Sequence, residues 1–188
     1  MPGDSPYEAY VAFVEPLKAA LSCIAHTKIT VSPDGKHAVD RTHSWTLQRG
    51  LGARLRGGFR LDARMKYQII RDDREGYGPY RVTTKAYDYA LCRESDGVEL
   101  FAQHWHPDST YTAPHMHLGS TLLNPDEPLS RVAHIPTSRA TLEQAIRLSM
   151  ALGVEPICDD WDDRLTLAEG PHVLFRSWHG SQPTSSDQ

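Results

Sequence analysis

The sequence predicts an α+β fold: an antiparallel β-sheet meander with an N-terminal helix and a C-terminal helix packed on one face. Three observations predict it. From Phe59 to Ile69 apolar and polar residues alternate without a break, the period of a strand with one dry and one wet face. Two capped helical patterns flank this region, one opening at Ser5 and one at Thr141. Between two β-rich runs stands Glu94-Ser95-Asp96-Gly97, a strong hairpin turn.

The elements follow in order. Ser5-Pro6-Tyr7-Glu8 offers a cap serine, a proline at the first helical position and a glutamate three residues after the cap, the pattern of a capping box. Tyr10, Phe13, Val14, Leu17, Leu21 and Ile24 form one helical stripe. Pro16 interrupts it and is expected to kink or split the helix. His26–Val31 and Arg41–Gln48 are strand candidates around a turn at Ser32-Pro33-Asp34-Gly35, and the basic, glycine-rich stretch from Arg49 to Gly58 reads as a mobile loop. Phe59–Ile69, Tyr80–Cys92 and Val98–His106 are the central strands, and Pro114–Leu118 is a short fourth candidate. Asn124–Ser130 is proline-rich and irregular. Thr141-Leu142-Glu143-Gln144 is a second capping box, with Gly153 as the stop. Residues 1–179 form one domain on this reading, and 180–188 a disordered tail.

Faces follow from pairing. If Lys66 lies opposite Lys85, and Tyr89 opposite Ala102, one face collects Phe59, Leu61, Met65, Ile69, Val82, Ala86, Ala90, Phe101 and Trp105. The other collects Arg60, Arg64, Lys66, Lys85, Tyr87, Tyr89, His104 and His106. A slip of one residue in either turn would invert this assignment.

Composition narrows the function classes. With 188 residues and 39% hydrophobic content, the chain is long enough for one real core. A net charge of -4 gives no global basic excess that would point to nucleic acid, although charge can be segregated locally. Cys23, Cys92 and Cys158 are odd in number and form no C-x-x-C pair, so they read as buried, reduced thiols of a cytoplasmic protein. The N-terminus lacks the charge and apolar core of a secretion signal, and no run reaches the ~18 apolar residues of a membrane span. The expectation is therefore a cytoplasmic protein with no membrane partner.

The ten histidines are the compositional oddity. His104-Trp105-His106 and His115-Met116-His117 are two H-x-H pairs. On a strand such residues project from one face ~6 to 7 Å apart. Two pairs on neighbouring strands support metal-free acid–base catalysis, with His104 or His106 as general base and His115 or His117 as general acid. The same four residues could instead hold a divalent metal. No H-E-x-x-H string or following glutamate supplies a third-ligand motif, although His134 is a possible distant ligand. The bland alternative is a polar sheet face with histidines packed on aromatic rings. Arg60, Arg64, Lys66 and Lys85 could bind a phosphodiester, and Tyr87 and Tyr89 could stack on unpaired bases. Taken alone, such cations more often merely solvate a sheet. Asp159-Asp160-Trp161-Asp162-Asp163 could hold Mg²⁺, but reads more simply as a solvated loop or helix start.

Tyr87-Asp88-Tyr89, Gly97-Val98-Glu99-Leu100, His104-Trp105-His106-Pro107 and Pro114-His115-Met116-His117 together resemble small bacterial toxins of the TumE type. The likeness extends loosely through His134-Ile135-Pro136-Thr137 into the helix from Thr141, about half the chain. It implies a growth-inhibiting α+β module neutralised by an antitoxin partner, and it assigns no catalytic residue. Three functions thus stay open: a metal-independent, cofactor-free RNA-cleaving enzyme, a metal-dependent enzyme with a multi-histidine site, and a non-catalytic protein-interaction module.

Overall fold

A computed structural model of the chain describes residues 2–32, 37–74, 78–123 and 133–175. The turn at Pro33-Asp34-Gly35, the proline-rich stretch 124–130 and the tail 180–188 lie outside the described residues. The fold is α+β, a mostly antiparallel nine-stranded sheet with an N-terminal helix and two C-terminal helices.

Helix α1 (Pro6–Leu21) starts as its sequence dictates: the Ser5 side chain accepts the Glu8 N–H, and the Glu8 carboxylate accepts the Ser5 N–H. Pro16 does not split it. Phe13, Val14, Leu17 and Leu21 bury one face against the core, and that packing outweighs the hydrogen bond the proline forfeits. Strands β1 (Pro2–Gly3), β2 (Ile29–Val31), β3 (Thr42–Leu47), β4 (Ala53–Leu55), β5 (Phe59–Arg71), β6 (Tyr80–Arg93), β7 (Glu99–Trp105), β8 (His115–Leu118) and β9 (Ile135–Pro136) follow in chain order. In space the main path runs β2-β3-β5-β6-β7-β8-β9, with β4 beside the start of β5 and β1 beside the start of β6. The basic stretch expected as a mobile loop is instead a 3-10 turn over Gln48–Gly50 followed by β4. Arg56-Gly57-Gly58 turns the chain into β5, both glycines at positive φ, where a side chain would be strained.

Helix α2 (Leu142–Ala151) opens on the Thr141 capping box. Helix α3 (Trp161–Phe175) was not expected as a helix; Gly170 and Pro171 near its end mask the period. Asp162 and Asp163 lie in its first turn, which accounts for the acidic string without a cation. The helices pack on the sheet face that carries Trp45, Leu61, Met65, Tyr67, Tyr87, Tyr89 and Trp105. Glu143 is fully buried there, its carboxylate 3.2 Å from His172 Nδ1.

The register departs from expectation in one instructive way. Next to the first turn, Tyr67 pairs with Thr84 and Ile69 with Val82, as the expected offset requires. A bulge between Lys66 and Tyr67 then shifts the ladder by one, so that Met65 faces Tyr87 and Arg64 faces Asp88. The second turn repeats the event: Cys92 pairs with Glu99, a bulge follows, and Tyr87 ends opposite Trp105. A bulge sets two residues against one, so β6 changes face partway along. Tyr87 and Tyr89 are therefore core residues, 2% and 0% exposed, while Ala86 and Ala90 leave the core face. The two shifts cancel across β7, and Trp105 and His104 occupy the faces expected of them.

Candidate metal centre on the open sheet face

Pleating and pairing assemble the histidines from both sides. His104 on β7 lies directly opposite His115 on β8, and Ala102 opposite His117. Because β9 pairs Pro136 with His115 and Ile135 with Met116, His134 comes level with His117 just before β9 begins. All five rings belong to one patch. His104 stacks on His115 with centroids 5.4 Å apart, and His106 lies 5.5 Å from His104. His115 and His117 are 5.0 Å apart, and His134 is 4.7 Å from each of them.

Two sets of potential ligands emerge. Nitrogens of His115, His117 and His134 lie within 4.8 Å of one another, as do donor atoms of Asp88, His104 and His106. His115 Nδ1 is 2.9 Å from the Ala113 carbonyl. A carbonyl only accepts, so this nitrogen carries the hydrogen and the neutral ring presents Nε2 as its lone-pair donor. Orientation of one ring nitrogen by a backbone carbonyl is the usual outer support of a metal-binding imidazole. Tyr111, on the loop between β7 and β8, packs its ring against His115 and His134 at 4.8 and 4.5 Å. It restrains both.

Burial favours the uncharged, ligand form of two of the rings. Burial is the chief cause that pushes His104 down to about 4, assisted by the neighbouring imidazoles and opposed by Asp88. Burial likewise lowers His106. Near neutral pH both rings are uncharged, which suits coordination and leaves His104 a weak base.

The expected phosphate-binding residues scatter. Arg60 is engaged by Asp62, Nη2 to Oδ2 at 3.0 Å, and Arg64 by Asp88, Nε to Oδ2 at 3.0 Å. Lys66 is exposed on the same strand, and Lys85 sits half-buried at the first bulge. Tyr87 and Tyr89 stack on each other in the core at 4.9 Å, so neither offers a ring to a base. Beside Asp88 lies a groove of about 320 Å³, open to solvent and walled by Thr46, Asp62, Arg64 and Asp88 over the small floor residue Ala90. A second, apolar cavity, on the helical face between Phe13, Met65, Tyr87 and Leu142, shares no residue with the patch.

No family model, curated protein or solved structure matches the chain. The resemblance to TumE-type toxins accordingly stays a proposal. Among the described residues no helix is long and apolar enough to cross a membrane. Asp88 is the site residue that sequence reasoning misplaced: it was hidden between two tyrosines taken to be exposed, and only the bulge brings it outward. His134, named from the sequence as a possible distant ligand, stands immediately before the short Ile135–Pro136 strand and joins the patch.

Proposed function

We propose that the protein is a metal-dependent hydrolase whose catalytic cation is held by His115, His117 and His134. The observation that carries the reading is the convergence of three imidazole nitrogens within 4.8 Å, two on β8 and one at the entry to β9. Three imidazoles would suit a borderline cation such as zinc. A cation held by these residues would supply Lewis-acid activation of water or of a substrate oxygen. The groove beyond Asp88 gives a substrate room to approach these histidines.

A metal-independent RNA-cleaving mechanism draws less support from the same geometry. Its base-stacking tyrosines are buried, two of its four cations are paired with carboxylates, and of its two candidate bases His104 is pushed down to about 4 and His106 is lowered by burial. An antitoxin-controlled toxin remains compatible with a hydrolytic centre on an open face, but no residue carries that role specifically.

Zinc affinity of the chelator-stripped full chain, measured by competition with a chromophoric indicator, tests the reading. His134→Ala should weaken binding at least ~10-fold and abolish the cobalt-substituted visible spectrum of this site. His134 has no function in a metal-free mechanism. Equal affinity in wild type and His134→Ala, or no binding by either, refutes the proposal.

A further inference from the structure

We infer that the face binds a second divalent cation, between Asp88, His104 and His106, and that the resulting two-metal centre takes a phosphate ester as its ligand. The inference rests on the three-histidine reading above and extends it.

The first support is a pair of distances. His104 Nε2 lies 4.0 Å from Asp88 Oδ1, and His106 Nε2 lies 3.9 Å from Asp88 Oδ2. Both are too long for hydrogen bonds. A cation bonded at about 2.1 Å to each of two donors leaves those donors ~3 to 4 Å apart. One carboxylate oxygen thus points to each imidazole at the spacing of a shared ion rather than of direct contact.

The second support is adjacency. His104 of this set stacks on His115 of the other at 5.4 Å and meets His117 edge-on at the same separation. No other side chain intervenes between the sets on the paired strands, because His104 and His115 are direct cross-strand partners. Ions in neighbouring sets would form one centre able to engage both the attacking and the leaving oxygen of a phosphoryl group.

The third support is charge. Imidazoles coordinated to metal carry no charge and Asp88 brings a single negative one, so two dications would leave the patch strongly positive. An oxyanion ligand with two or more negative oxygens compensates this, as a phosphate group does. Arg64 now clasps Asp88 from the solvent side, its own side chain 66% exposed. A cation on Asp88 would compete with this pairing and release the guanidinium to a phosphoryl oxygen. The groove it borders is where the rest of an ester would lie.

The experiment is metal stoichiometry on the chelator-stripped full chain reloaded with Co²⁺ or Mn²⁺, with inorganic phosphate as ligand probe. The expected result is two equivalents in wild type, one in Asp88→Asn, one in His134→Ala and none in the double variant. Phosphate should bind at least ~10-fold more tightly to the two-metal protein than to Asp88→Asn. Two-metal Mn²⁺ protein should also give a spin-coupled resonance spectrum that Asp88→Asn lacks. His106→Gln serves as the second variant, and far-ultraviolet circular dichroism checks that each variant is folded. One equivalent in wild type, lost in His134→Ala and unchanged in Asp88→Asn, overturns the second site and leaves the single-metal hydrolase standing. Zero equivalents in wild type overturns both.

Discussion

Removing one oxygen atom, in Tyr87→Phe, tests the register on which every face assignment depends. The Tyr87 hydroxyl accepts the Ala140 N–H at 2.8 Å, and the residue is 2% exposed. Phenylalanine keeps the ring stacked on Tyr89 but leaves that buried N–H without this acceptor. A buried donor so abandoned costs about 1 to 3 kcal/mol. For a chain of this size each kcal/mol moves Tm by roughly 2 to 4 °C, so a fall of about 2 to 12 °C is expected. Urea unfolding should show the same loss as a lower midpoint at constant slope. Tyr7→Phe, at a ring 58% exposed, is the control and should change stability by less than ~0.5 kcal/mol. If Tyr87→Phe is as silent as the control, Tyr87 lies on the wet face, the bulges are misplaced and Asp88 does not belong to the histidine patch.

Other outcomes follow from the same geometry. His104 is held down to about 4 in the folded chain, against 6.5 for a free ring. The unfolded chain therefore binds the extra proton between these values, so stability is intact above pH 6.5 and falls as pH drops towards 4. The loss reaches on the order of 3 kcal/mol, and His104→Gln should flatten that part of the pH–stability curve; an unchanged slope refutes the assignment. Ser5→Ala removes one half of the α1 capping box and should cost about 1 kcal/mol, largely restored by Ser5→Asp. A cost below ~0.3 kcal/mol would mean that α1 is held by packing alone.

Much of this was legible in the residues themselves. The alternation through Phe59–Ile69 identified β5 and its faces, and both capping boxes marked helix starts that the structure keeps. The turns were also read in register, since Tyr67–Thr84 and Cys92–Glu99 pair at the expected offsets. What could not be read was the extra residue beyond each turn. A bulge adds a backbone unit without changing which residues favour a strand, so nothing in the composition of Lys85 or Leu100 announces one. The two errors compensate, and for that reason the histidine pairs emerged on the right side while the tyrosines did not. Helix α3 was missed on different grounds: its outer face carries Leu167, Val173 and Leu174, largely exposed, which blurs the contrast between dry and wet sides.

Strands β8 and β9 are four and two residues long, and they form the margin of the sheet. So few ladder bonds make that margin the natural place for the molecule to fray. An ion gripped by His115 and His117 on one of these strands and His134 beside the other would act as a rivet, adding its binding free energy where the backbone contributes least. The centre and the hem of the sheet would then come apart together: stripping the cation loosens the fabric locally, long before the interior notices.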